Sequence, residues 1–202
     1  MPEVVSDVSK ARVLVLISGT GSNMEALIEY SRLNQDCPYQ VTKVVSDRPC
    51  RGIETATKRG VKAIALDRRD PDFEQMLLGE ARDHDLIVLA GYLSILEPAF
   101  IAAHRGRIIN IHPALLPRHG GSGMYGLKVH QAVLADGDTE SGCTVHLVEE
   151  CVDSGEILLQ RKVSVRPFDT ALDLRDRILP LEHDCIVQGL LELIDRLKNK
   201  GR

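Results

Sequence analysis

The feature that most constrains this chain is a rhythm. Short apolar runs at residues 13–17, 41–45, 63–66, 86–90 and 107–111 alternate with helical patterns around residues 24–28, 53–59, 73–82 and 98–103. Runs without polar alternation suit strands buried on both faces, and a helix after each strand returns the chain to start a parallel neighbour. The expected fold class is therefore α/β, a doubly wound, mostly parallel, Rossmann-like sheet with strand order 3-2-1-4-5 in this first part.

The rhythm breaks after residue 111. A loop containing Gly and Pro (residues 112–126) leads to a short helix at 127–135. Two strand-like runs at 144–148 and 157–165 flank an acidic turn containing Asp153, Ser154 and Gly155, which reads as a hairpin. A long amphipathic pattern at about 170–197 follows, interrupted by Pro180, and a basic tail closes the chain at 198–202. The 202 residues read as a single domain, 1–202, with a nucleotide-binding half at about 12–111 completed by residues 112–197.

Composition limits what such a domain can do. With 44% hydrophobic and 27% charged residues it can bury a core, which excludes general disorder. A net charge of −4 excludes nucleic-acid or membrane binding by bulk electrostatics, so any anion site must be local. Only 3% of residues are aromatic and none is Trp, which argues against platforms of stacked rings. Cys37, Cys50, Cys143, Cys151 and Cys185 show neither a Cys-x-x-Cys pair nor metal-ligand spacing, and are read as reduced thiols with no metal. Residues 1–12 lack the apolar run of a secretory signal, and the longest apolar run, 86–93, is too short to span a membrane, so the expected location is cytoplasmic.

In open α/β sheets, ligands bind beyond the carboxyl ends of the strands. The expected strand order brings the turn at 19–23, the loop at 91–96 and the strand end at 110–112 into one cleft. Gly19-Thr20-Gly21-Ser22-Asn23 can cradle a phosphate at a helix N-terminus, or it can simply form a tight turn capped by Ser22. No Walker lysine follows, and Met24 stands where a dinucleotide site needs a third glycine, although Asp47 at the end of the second strand keeps that reading open. Asn110 and His112 are two residues apart, so they emerge on one side of a strand. An amide donor beside an imidazole suits attack on a carbonyl; the alternative is that both satisfy backbone groups at a strand terminus. Asp153 is the best-placed carboxylate to tune His112, with Glu149 and Glu150 as rivals. No Ser or Cys nucleophile accompanies this set, so the nucleophile belongs to a substrate. His84 and His104 fall at helix ends; His119, His130, His146 and His183 can approach the cleft but lack metal-site spacing.

Gly19-Thr20-Gly21-Ser22-Asn23, Leu89-Ala90-Gly91-Tyr92, Asn110-Ile111-His112-Pro113-Ala114-Leu115-Leu116-Pro117 and Asp153-Ser154-Gly155 together resemble the ordered motifs of the folate-dependent phosphoribosylglycinamide formyltransferases, over residues 12–197. The resemblance implies transfer of a formyl group from 10-formyltetrahydrofolate to the amine of glycinamide ribonucleotide in purine synthesis. In that reading Asn110 and a protonated His112 stabilise the tetrahedral oxygen, and Asp153 sustains the charge. Thr20, Gly21, Ser22 and Asn23 hold the phosphate, while Glu182 contacts the glycinamide substrate. Folate occupies a slot of Leu93, Ser94, Ile95 and Leu96 beside Asn110, with Glu149, Glu150, Cys151 and Val152 offering backbone groups and Arg69 reaching the tail. Ser94 departs from the Arg of several members, and Arg68 or Arg69 aligns only loosely with a folate-contacting Arg. The loop at 119–126 is longer than in shorter forms, and is read as a lid or an elaborated turn. The alternative activity is hydrolysis of formyl-folate, against which the phosphate turn and the lack of a regulatory domain argue; tRNA-directed transfer would need a further RNA-binding domain. The implied partners are these two small molecules, with no nucleic acid or membrane, and a homodimer on base rates.

Overall fold

A computed structural model describes residues 10–200. Its elements in chain order are β1 (Ala11–Ile17), α1 (Ser22–Leu33), β2 (Tyr39–Ser46), α2 (Arg51–Lys58), β3 (Lys62–Ala65), α3 (Phe73–Ala81), β4 (Leu86–Leu89), α4 (Pro98–Ala103) and β5 (Ile108–His112). They continue with α5 (Leu127–Ala135), β6 (Glu140–Leu147), β7 (Ile157–Ser164) and α6 (Ala171–Lys200). One seven-stranded sheet has the order β3-β2-β1-β4-β5-β6-β7. The first four pairings are parallel, and β6 and β7 add an antiparallel hairpin. This is the expected doubly wound sheet with its order extended by the hairpin.

β1 shows why its run is unbroken by polar residues. Val13, Val15 and Ile17 face a core shared with α1 and α6, whereas Leu14 and Leu16 face a second core shared with α3 and α4. Each of these five side chains is 0% exposed, so each contributes roughly 1.5–3 kcal/mol of burial.

Two boundaries differ from the sequence reading. β6 starts at Glu140, four residues before the expected run at 144, because Ser141, Gly142 and Cys143 are small buried residues in a tight approach. A Cβ on Gly142 would fall 1.9 Å from the Arg161 carbonyl oxygen, so no side chain can mark this stretch as strand. α6 runs through Pro180 and on to Lys200, taking in part of what was read as a solvated tail. An interior proline costs about 3 kcal/mol. Buried Leu174 and Ile178 before it, with Cys185, Ile186 and Leu190 after it, hold the helix on the sheet and outweigh that cost. The polar lead at 1–9 and the last two tail residues lie outside the described residues. Cys37, Cys50, Cys143, Cys151 and Cys185 are free thiols. Among the described residues no helix is long and apolar enough to cross a membrane, and no group of three or more His, Cys, Asp or Glu residues is arranged to hold a metal.

Candidate active site

A cavity of about 660 Å³ opens beyond the carboxyl ends of β1, β4 and β5. The loops after β1 and β4 are stitched side by side: the Ser18 N–H donates to the Gly91 carbonyl at 3.1 Å, and the Leu93 N–H donates to Ser18 Oγ at 2.8 Å. Ser18 was not singled out in the sequence, since one hydroxyl beside a glycine-rich turn carries no pattern.

At one end of the cleft, Gly21 is the N-cap of α1 with φ 80°, a left-handed conformation that favours glycine. Helix α1 begins at Ser22 and no side chain caps it, so Ser22 is not the cap and the first-turn amides are open to an anion. Gly52 of α2 packs under this turn, its N–H donating to the Gly19 carbonyl at 3.0 Å; a Cβ there would meet Ile17 Cδ1 at 2.4 Å. Thr20, Ser22 and Asn23 all line the cleft. The Asn23 amide donates to Glu182 Oε2 at 2.8 Å, which brings Glu182 of α6 to the turn. Burial pushes the Glu182 carboxyl above its ordinary range, and the Asn23 bond only partly offsets this.

At the centre, β5 ends with Asn110 and His112 facing Asp153, which sits in the turn between β6 and β7 at φ 55°. Asp153 Oδ2 accepts the Gly121 N–H at 2.9 Å and lies 3.5 Å from His112 Nδ1. Its Oδ1 lies 3.4 Å from the Asn110 amide nitrogen and 3.5 Å from His146 Nε2. His146 donates from Nδ1 to the Leu147 carbonyl at 2.8 Å, and its Nε2 lies 3.1 Å from the Asn110 amide nitrogen. His112 donates from Nε2 to the His119 carbonyl at 2.8 Å, which leaves the Nδ1 edge facing Asp153. The candidate triad is thus brought together; Gly121 and His146 complete it.

The electrostatics correct one expectation. Burial pushes the His112 imidazole below its ordinary value, and the opposing pull of Asp153 and the His119 carbonyl does not restore it. His112 in this site is therefore neutral near pH 7 rather than held protonated. Burial alone would raise the Asp153 carboxyl, but the His146 contact, the field of His112 and the Gly121 N–H together bring it below the usual range. The Gly121 donor does not depend on His112, so we take Asp153 as ionised and His112 as neutral. His130 of α5, also on the cleft wall, is pushed down to about 4 by burial, with the Arg175 charge adding to the shift.

An apolar wall also lines the cleft, on the loop stitched to the glycine turn and on the β6–β7 turn. Leu93, Ile95 and Val152 line it while 45%, 60% and 41% exposed, and Leu96 is buried beneath them. Glu149 and Glu150 also line the cleft. Three residues are differently placed from the sequence reading. Ser94 reaches the lining, but its hydroxyl donates to Asp47 rather than pointing at a ligand. Arg69 is outside the lining and forks onto Asp67 at the surface, and Cys151 is also outside it. Asp47 is buried, engaged by Ser94 and by Arg48 at 2.9 Å, and absent from the cleft lining, so it is not placed to meet a ribose there, which counts against the dinucleotide reading.

The profile of the formyl transferase family matches residues 11–190. The chain belongs to the formyl transferase family. Within it, the chain is 37% identical to the phosphoribosylglycinamide formyltransferase of Escherichia coli K12, covering 85% of this chain and 81% of that one. Glycinamide ribonucleotide transformylase 1 from Symbiobacterium toebii superposes with a TM-score of 0.84 at 35% identity, covering 94% of this chain and 90% of that one. The phosphoribosylglycinamide formyltransferase of Brucella melitensis gives 0.81 at 38% identity, covering 90% and 94%. The chain also matches trifunctional purine biosynthetic proteins named adenosine-3, but spans only 14% of the one from Drosophila melanogaster and 20% of the one from Bos taurus, at 38% and 37% identity over 92% and 96% of this chain.

Proposed function

We propose that this family member transfers the formyl group of 10-formyltetrahydrofolate to the amine of glycinamide ribonucleotide, a step of purine biosynthesis. The observation that carries the reading is one cleft that brings together an uncapped helix N-terminus, an exposed apolar wall and the side chains of Asn110, His112 and Asp153. The cavity volume falls in the range of roughly 300–1,000 Å³ typical of small-molecule sites. The α1 amides and Asn23 suit a phosphate, and Leu93, Ile95 and Val152 suit the faces of a flat heterocyclic ring.

In this reading the formyl-folate supplies an activated carbonyl carbon, and the substrate amine adds to it. The Asn110 N–H now directed at Asp153 Oδ1 over a long 3.4 Å is the donor free to turn to the new oxyanion. His112 takes up the amine's proton at Nδ1, beside ionised Asp153, and delivers it to the departing folate nitrogen. A neutral His112 at the outset suits this, because it starts as a base and becomes the acid. Thr20, Gly21, Ser22 and Asn23 fix the phosphate, and Glu182 orients the sugar-amine end. The free thiols support an aqueous, reducing compartment. The test is to incubate the protein with 10-formyltetrahydrofolate, with and without glycinamide ribonucleotide, and follow tetrahydrofolate. Turnover that needs the amine supports transfer; amine-independent turnover indicates hydrolysis and overturns the reading, as does no turnover by folded protein.

A further inference from the structure

The residues around the catalytic histidine have a back layer that formyl transfer itself does not call on. His119, the second residue after the Leu116–Pro117 bond, has φ 54°, a left-handed conformation unusual for a residue with a Cβ. Its carbonyl accepts the Nε2 proton of His112 at 2.8 Å, so the conformation of His119 decides where that acceptor points. The His119 imidazole faces away from the cleft, and its side chain is only 7% exposed. Its Nε2 donates to Asp138 Oδ2 at 2.6 Å. The other Asp138 oxygen pairs with Arg118 at 2.5 Å, so one carboxylate grips both residues that precede the glycine loop.

Asp138 is itself fixed. It follows the end of α5, where Gly137 turns left-handed at φ 68° and donates to the Leu134 carbonyl at 3.2 Å, while the Asp138 N–H donates to the Val133 carbonyl at 3.2 Å. These two bonds close the helix C-terminus. They leave the Asp138 side chain 10% exposed against His119.

We propose that Asp138 is a positioning residue for His112, acting through His119. It holds the His119 backbone left-handed so that the carbonyl accepts the His112 Nε2 proton and leaves the Nδ1 edge for proton transfer beside Asp153. The tautomer of a histidine is set by the hydrogen bond its other nitrogen makes, and this bond is set from behind. The inference rests on the proposed transfer reaction. It adds a device to that site: at the start of the glycine loop, His119 is tied by its carbonyl to the catalytic base and by its imidazole to the turn that follows α5.

The test is steady-state kinetics of formyl transfer with Asp138→Ala, Asp138→Asn, His119→Asn and the double variant Asp138→Ala/His119→Asn. Asp138→Ala should lower kcat by roughly 10-fold with KM for both substrates unchanged, since misorientation of a reacting group costs rate rather than binding. Asp138→Asn keeps an oxygen to accept from His119 and should recover to within about 3-fold of wild type. In the His119→Asn background, where the imidazole that Asp138 holds is gone, adding Asp138→Ala should cost less than about 2-fold more. The titratable groups around His112 are Asp153 and His146 from the hairpin, His119 from the loop and His130 from α5. Loss of the His119 carbonyl removes an influence that raises the His112 pKa, so the acidic limb of the kcat–pH profile should move to lower pH. Simple loosening of the fold would leave that limb in place. If Asp138→Ala does not fold, His119→Asn alone carries the test, with the same fall in kcat at unchanged KM. Unchanged kcat in the folded variants, a rise in KM at constant kcat, or full additivity in the double variant would overturn the proposal. No turnover by wild type would overturn the reaction on which it rests.

Discussion

Replacing Thr144 by Val tests whether one hydroxyl holds the turn that follows β5, the strand that carries Asn110 and His112. Thr144 lies on β6 opposite His112 in register and is fully buried. Its Oγ1 donates to the Ala114 carbonyl at 2.6 Å and accepts from the Leu116 N–H at 3.1 Å and the Gln160 amide at 2.9 Å. Valine has nearly the same shape, so no cavity opens. Gln160 keeps its bond to the Leu116 carbonyl at 3.0 Å, whereas the Ala114 carbonyl and the Leu116 N–H lose this hydroxyl. Each buried polar group left unpaired costs about 1–3 kcal/mol, and because the two neighbours relax together the total should be about 2–4 kcal/mol. For a chain of this size that is a fall in Tm of roughly 5–15 °C. Urea unfolding followed by circular dichroism should show a lower midpoint with an unchanged m-value. Thr144→Ser keeps the hydroxyl, loses one methyl group and should cost only about 1 kcal/mol. If Thr144→Val unfolds within about 2 °C of wild type, or if Ser is as costly as Val, the hydroxyl does not carry the turn.

Three further outcomes are expected. His112→Ala should lower kcat by about 10²-fold or more, as loss of a general acid–base group does, with folded protein checked by circular dichroism; a near-normal rate would remove His112 from the mechanism. Gly155→Ala should destabilise the protein by about 2 kcal/mol or more and lower kcat as well, because a Cβ would fall 1.8 Å from the Leu147 carbonyl oxygen and force open the turn that carries Asp153; wild-type Tm and rate would refute the close approach. Burial raises the folded pKa of Glu182 above 4.5, so above that pH the unfolded chain releases a proton that the folded chain keeps, and wild-type stability falls as pH rises through the folded value. Glu182→Gln lacks this penalty and should gain on wild type across that window; parallel stability–pH curves from urea titrations would contradict it.

Much of the fold was legible because its signals are local. The unbroken apolar run of β1 announces burial on two faces, and the Gly19–Asn23 turn announces the switch from strand to helix. Asn110 and His112 were legible as a pair because alternate residues of a strand share a face. Partnerships across the chain were not legible in the same way. His146 reaches Asn110 through antiparallel register, and Gly121 reaches Asp153 through a loop whose path glycine leaves open. Gly52 could be known only from what it touches, since the lack of a side chain is its contribution. Ser94 illustrates the opposite failure: its position in a motif suggested a ligand contact, but a buried carboxylate nearby had the stronger claim on its hydroxyl. The charge of His112 was misread because a neighbouring carboxylate is visible in sequence, whereas desolvation is a property of the finished fold.

The bond from Asn23 to Glu182 joins residues 159 positions apart, so the turn proposed to hold the phosphate is closed by α6, the last of the described elements. Until α6 docks, the face of β1 formed by Val13, Val15 and Ile17 lacks Ile178, Cys185 and Ile186 as its cover. An emerging chain therefore carries an open apolar surface and an unfinished binding turn at the same time, and both are resolved by one docking event. The linkage also runs the other way. A ligand that requires the completed turn stabilises the docked helix by mass action, so an anion bound at the start of α1 protects α6 from unfolding and proteolysis.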